Sequence, residues 1–269
     1  NLPKVNVIGL RSQHDEGVHL DAEGRAHVWR KFRFESAHKL PNVPEGHKCG
    51  RMHGHGFEVI LHAQSYLEES NLGIDYDELE VCWGEVHGVL NHNCLNDIPG
   101  LENPTSEMIS FWLWSRLKEK LPQLSWVTVY ETATSGAHYN GSIFRIWKDF
   151  SIDSAIRRER VGCDDERLRI HGHTYLCRLH LTAPLDQVLG WTIDYGDIKE
   201  KFSPIFAALD HQPLYEVADL SDNDPLSIAR WIKKNSSNCL PELERIDLYE
   251  TRGCGVTIDW GSLGPALPI

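Results

Sequence analysis

No apolar run in this sequence approaches the ~18 residues that a membrane-spanning helix requires. The opening stretch, NLPKVNVIGLRSQHDEG, has no apolar core of the kind a secretory leader carries. Paired cysteines are missing too. There are seven, an odd number at irregular spacing, which does not read as a disulfide framework. Basic charge is also in short supply: 27 Lys and Arg stand against 39 Asp and Glu, a formal net charge of −12. That balance excludes a broad nucleic-acid surface, and an anionic substrate would need a local basic pocket. The shortages together suggest a globular protein of a reducing compartment, with a cytoplasmic location expected. Its 269 residues, 41% hydrophobic and 25% charged, suit one or two such domains.

Histidine is what the chain has in quantity, 15 in all. The informative ones lie in residues 32–61, FRFESAHKLPNVPEGHKCGRMHGHGFEVIL. His53 and His55 begin an alternating run with Phe57, Val59 and Leu61. Side chains two apart on a strand share a face, so both imidazoles point the same way. His38 ends a second alternating run with Phe32, Phe34 and Ser36. Hairpin pairing of the two runs would bring His38 beside the other two. Three neutral imidazoles with an open fourth position form a catalytic zinc site, so zinc is the expected cofactor, held by His38, His53 and His55. Cys49 lies in the intervening loop, as a nucleophile or base near the metal rather than a ligand.

Further along, GIDYDELEVCWGEVHGVLNH reads as a helix that Asp75 or Asp77 can cap. PTSEMISFWLWSRLKEKLP reads as another, opened by Pro104 and Thr105 and closed by Pro122, with Glu107 complementing the helix dipole. WVTVYET and YNGSIFRIW read as two more strands. Residues 1–25 are polar apart from VNVIGL, a possible short strand, and His14 and His19 are expected on loops. The first half is therefore expected to be ββααββ.

The second half repeats the first. His53-Gly-His55 matches His171-Gly-His173, and Ile74-Asp75-Tyr76 matches Ile193-Asp194-Tyr195. Asn91-His92 matches Asp210-His211, Trp112 matches Trp231, and Tyr130-Glu131-Thr132 matches Tyr249-Glu250-Thr251. The offset drifts by one residue over the whole series, which marks an internal duplication. The copies differ at telling places: His38 corresponds to Ile156, Cys49 to Arg167 and Glu107 to Leu226. Cys163 is a candidate replacement for the missing ligand beside His171 and His173; otherwise the two histidines are residual or make hydrogen bonds.

FRFESAHKL, HKCGRMHGHGF, GIDYDEL, VLNHNCLN, PTSE and YET, in that order, resemble the 6-pyruvoyl-tetrahydropterin synthase and 6-carboxy-tetrahydropterin synthase family. The HKC-x3-HGH form is most similar to the bacterial 6-carboxy enzymes of the queuosine pathway. The resemblance implies an α+β chain of two tandem T-fold (tunnelling fold) units. Each would have an antiparallel four-stranded sheet and two helices. The expected boundaries are an extension over 1–25, units at 26–148 and 149–260, and a tail over 261–269. It implies zinc at His38, His53 and His55, a reactive Cys49, and a pterin-anchoring glutamate at Glu131, with Glu250 in the second copy. The family's Asp-His pair falls on Asn91-His92 and on Asp210-His211.

The implied substrate is 7,8-dihydroneopterin triphosphate. The product would be 6-carboxy-5,6,7,8-tetrahydropterin with loss of acetaldehyde and triphosphate, or 6-pyruvoyl-tetrahydropterin without cleavage; a non-catalytic pterin- or purine-binding module is the alternative. The family builds its sites between units, so a homo-oligomer is implied, with a small-molecule pterin partner and neither nucleic acid nor membrane. Each copy keeps a different part of the machinery. A composite site is therefore expected, with the metal and Cys49 from a first copy and the catalytic relay Asp210-His211, alongside His92, as its acid–base groups. Cys82, Cys94, Cys177, Cys239 and Cys254 read as inert thiols, and Trp112, Trp114 and Trp231 as core residues. Arg157, Arg158, Arg160, Arg167 and Arg169 read equally as a solvated face or a triphosphate seat.

Overall fold

A computed structural model describes residues 7–66, 73–158, 166–220, 222–251 and 253–261. Cys163, Arg160 and the tail from residue 262 lie outside the described residues. The chain divides into two compact units, Asn1–Arg145 with Pro184–Thr192, and Ile146–Ala183 with Ile193–Ile269.

In the first unit β1 (Val7–Gln13), β2 (Glu16–Asp21), β3 (Arg25–His38) and β4 (His53–Tyr66) precede two helices, α1 (Tyr76–Leu90) and α2 (Ser106–Leu117). β5 (Leu124–Thr132) and β6 (Ser135–Tyr139) follow. The strands pair antiparallel in chain order. Alternation decides which face each residue takes. Phe34, Phe57, Val59, Leu61, Val127 and Val129 are all buried on the side that packs against Leu79, Val86, Leu90, Ile109 and Leu113 of the helices. Each such Val or Leu contributes about 1.5–3 kcal/mol through burial. Phe34 stacks on Phe57 across the β3–β4 pair, with centroids 4.8 Å apart.

The helices start where their caps permit. Asp75, not Asp77, caps α1, and Glu78 completes a reciprocal capping box. The Thr105 side chain accepts from the Met108 amide to open α2. Glu107 does sit in the first turn of α2, but not as an exposed partner of the dipole: it is 2% exposed. Its carboxylate accepts from the Thr192 amide at 2.9 Å and from Ser106 Oγ at 3.1 Å. Segment Pro184–Thr192 thus closes over the start of α2, where Gly190 and Leu189 also accept from Thr105 and Asn103.

Two stretches differ from the sequence reading. Residues 7–21 form a hairpin whose β2 extends the sheet along β3, and His19 lies in β2 rather than in a loop. Its imidazole is pushed down to about 4 by burial. YNGSIFRIW is not one strand. Asn140 Oδ1 accepts from the amides of Ser142 and Ile143, and Gly141 takes φ of 95°, so a turn separates β6 from the next strand.

The second unit contains β7 (Phe144–Ile156, from Ile146 onward), β8 (His171–Thr182), α3 (Tyr195–Ala207), α4 (Pro225–Ser236), β9 (Leu243–Thr251) and β10 (Cys254–Asp259). The strand order is again sequential. Ile152, Ile156, Tyr175, Cys177, Leu179, Phe202, Ile228, Ile232, Ile246 and Leu248 form its buried interior. The six described cysteines are free thiols. Among the described residues no helix is long and apolar enough to cross a membrane.

Candidate functional site

The β3–β4 register sets His38 opposite His53 and Ser36 opposite His55. All three histidines end the row of side chains that higher up forms the core, so they gather where the apolar filling stops. Their ligand atoms lie within 4.8 Å of one another, and no second such group of His, Cys, Asp or Glu occurs among the described residues. His38 is fully buried.

The tautomers are fixed by backbone carbonyls. A carbonyl only accepts, so each Nδ1 carries the hydrogen that it donates: His38 to Pro104 at 3.2 Å, His53 to Arg51 at 2.8 Å and His55 to Gly56 at 3.1 Å. The lone pairs therefore sit on Nε2. His38 Nε2 and His55 Nε2 face each other at 3.2 Å. Two acceptors at that distance repel unless a cation lies between them, which is how a histidine metal centre is built, with Nδ1 on a carbonyl and Nε2 on the ion. The residues present fit a divalent metal ion.

Glu131, on β5, places Oε1 3.8 Å from Nε2 of both His38 and His55. Its Oε2 is buried and has no hydrogen-bond partner. Burial pushes the His38 imidazole below its ordinary value, against the pull of Glu131, whereas the Glu131 carboxylate raises His55. Cys49 lies in a short turn, Lys48–Gly50, in the loop between β3 and β4. His47 Nδ1 accepts from the Cys49 amide, and the Cys49 carbonyl accepts from Leu40.

Asn91 and Asp210 do the same backbone work in the two units. Asn91 Oδ1 accepts from the Glu35 amide at 3.0 Å, and Asp210 Oδ1 from the Asp153 amide at 2.9 Å. The residues after them, His92 and His211, both adopt positive φ, 59° and 56°. In the second unit the same side chain also bonds its histidine, with Asp210 Oδ2 2.9 Å from His211 Nδ1. That contact raises the His211 imidazole. His92 has Glu35 at 3.9 Å, both widely exposed.

In the second unit His171 and His173 lie close, with ring centroids 5.3 Å apart, and His171 Nδ1 donates to the Arg169 carbonyl as His53 does to Arg51. Ile156 is fully buried at the position of His38. Arg158 lies within the basic stretch, yet its side chain is only 13% exposed and pairs with Glu250 at 2.9 Å. Arg157 instead lies over the Tyr215 ring. Sequence reasoning missed His47 and the Pro104 carbonyl, and it named Arg158 only within a basic stretch, not as the partner of Glu250. The repeat carries a signal for Arg158 alone, a charge at the place of Leu40 in the first copy.

The family model for 6-pyruvoyl tetrahydropterin synthase matches the chain twice, over residues 27–142 and 145–260. The 6-carboxy-5,6,7,8-tetrahydropterin synthase of Synechocystis is 40% identical over 119 residues, covering 42% of this chain and 91% of that protein. The solved structure of Caenorhabditis elegans 6-pyruvoyl tetrahydropterin synthase aligns with a TM-score of 0.40 and 18% identity, over 45% of this chain and 96% of that one.

Proposed function

The chain belongs to the 6-pyruvoyl tetrahydropterin synthase family, and from that premise we propose that it is a zinc-dependent pterin synthase. Its substrate is 7,8-dihydroneopterin triphosphate or a related dihydropterin. With water as co-reactant, its products are 6-carboxy-5,6,7,8-tetrahydropterin, acetaldehyde and triphosphate. The observation that carries this reading is the convergence of three histidine ligand atoms, with the Nε2 atoms of His38 and His55 3.2 Å apart, beside a glutamate with one unpartnered buried oxygen.

His38, His53 and His55 hold the zinc. When bound, the metal supplies Lewis acidity to the oxygens of the substrate side chain. Glu131 accepts from the paired N–H donors of the pterin's amino–amide edge, which satisfies Oε2. Cys49, carried on the loop that joins the two ligand strands, removes and returns a side-chain proton as thiolate. A histidine relays the second proton, and His211 has a hydrogen-bonded carboxylate in Asp210, where His92 follows Asn91. The working sites lie in a homo-oligomer, and each unit is read as a T-fold.

The test is incubation of the zinc-loaded protein with 7,8-dihydroneopterin triphosphate, following acetaldehyde and triphosphate. Both are expected from the wild type and neither from Cys49→Ala with normal zinc content. Wild-type protein that holds zinc and pterin yet releases neither product would refute the enzymatic reading.

A further inference from the structure

The described ends of the loop after β7 are tied together at the same backbone positions as the loop after β3. In the first unit the Leu40 amide donates to the Cys49 carbonyl at 2.8 Å; in the second the Arg158 amide donates to the Arg167 carbonyl at 2.9 Å. Arg158 therefore starts from the backbone position of Leu40, and the register between the copies needs no adjustment there. Leu40 is buried and apolar. At the same place the second copy sends a guanidinium inward, to Glu250 at 2.9 Å. The same Glu250 oxygen is 3.1 Å from His173 Nε2.

Set beside the first unit, the substitution has a clear sense. There, Glu131 Oε1 stands 3.8 Å from two imidazole nitrogens, room that a cation can fill. In the second unit one imidazole has become Ile156, and the carboxylate has closed onto a cation of the chain's own. Arg158 and Glu250 are 13% and 19% exposed, so the pair is well shielded from solvent. A carboxylate in that setting keeps its partner, because an uncompensated charge shielded from water is strongly destabilising.

We propose that Arg158 is the resident cation of the second unit: its guanidinium takes the place of a metal ion at Glu250 and His173 and excludes one. The duplicated half is then a site closed by its own sequence, in which Glu250 is engaged from within and is not free to anchor a ligand. This rests on the reading of the first unit as a metal centre, but its test does not depend on that reading.

The probe is Co²⁺, followed by its visible absorption and by metal analysis of the full chain, in a His53→Ala background that dismantles the first-unit group. His53→Ala alone is expected to take up no cobalt. Adding Arg158→Ala with Ile156→His, which restores three imidazoles and a free carboxylate, is expected to admit one equivalent that His173→Ala removes again. Ile156→His with Arg158 retained is expected to admit none. Thermal melts check folding, and His53→Ala/Arg158→Ala, which leaves the core untouched, carries the test if Ile156→His does not fold. Three results would each overturn the proposal: cobalt in His53→Ala that His171→Ala removes, equal uptake with and without Arg158, or no uptake in any folded variant lacking Arg158. Absence of cobalt from the wild type would instead count against the first-unit metal centre, and the second-unit variants would still decide the role of Arg158.

Discussion

Replacing Glu107 by glutamine should remove a pH dependence that the wild-type fold carries. Burial pushes this carboxyl up from 4.5 to about 7, against the lowering effect of its bonds to Thr192 and Ser106. Between those values the folded chain holds the proton and the unfolded chain has released it. The folded state binds more protons, so stability falls as pH rises, with a slope of about 1.4 kcal/mol per unit for one proton. Over the whole window the loss is about 3 kcal/mol, complete above pH ~7 and absent below pH ~4.5. A glutamine keeps an acceptor for the Thr192 amide and turns a donor toward Ser106, and it has no charge to bury. The assay is urea unfolding of both proteins from pH 4.5 to 8. Other titrating groups, the many histidines included, are common to the pair and cancel in the difference. The variant should lie within about 1 kcal/mol below the wild type near pH 4.5, the allowance for imperfect bonding, and exceed it by roughly 2–3 kcal/mol at pH 8. A difference that stays flat with pH would show that Glu107 titrates normally. One that grows in favour of the wild type would show an ionised, paired carboxylate and refute the reasoning.

Glu131→Gln should weaken pterin binding by about 1–3 kcal/mol while leaving zinc in place, since the amide sets a donor against the donors of the pterin edge. Calorimetry with a dihydropterin, beside metal analysis, checks it. His211→Ala and Asp210→Asn should each lower turnover by about 10²-fold or more, the scale of a lost acid–base group, with zinc retained. Normal turnover in both, with His92→Ala inactive, would assign the relay to the first copy. Phe57→Ala should cost about 3–5 kcal/mol in urea unfolding. The same change should lower zinc affinity, because Phe57 supports His55 at 4.2 Å and His38 at 5.3 Å between ring centroids.

Some of this protein follows from the sequence because the physics is local. Strand side chains alternate with period two, so HGH followed by Phe57, Val59 and Leu61 already places two imidazoles on the core-facing side. Asp75 three residues before Glu78 already specifies a capped helix start. The duplication is equally legible, since it needs only comparison of the chain with itself. The turn at Asn140–Gly141 was also written there, but the strand-forming residues on either side masked it.

What the tertiary structure decided depends on partners far along the chain. The carbonyl that orients His38 comes from Pro104, 66 residues on. The amide that meets Glu107 comes from Thr192, 85 residues on, and the burial of that carboxyl, which outweighs the lowering effect of the bond itself, turns a helix-dipole charge into a buried acid near neutrality. Arg158 and Glu250 are 92 residues apart, and nothing in an arginine-rich stretch tells which guanidinium turns inward. Periodicity states which face a side chain takes, because that is set by the residue's own backbone. Which group waits on that face is settled only when strands pair and helices pack, and on that depend proton position, charge state and the difference between an open site and a closed one.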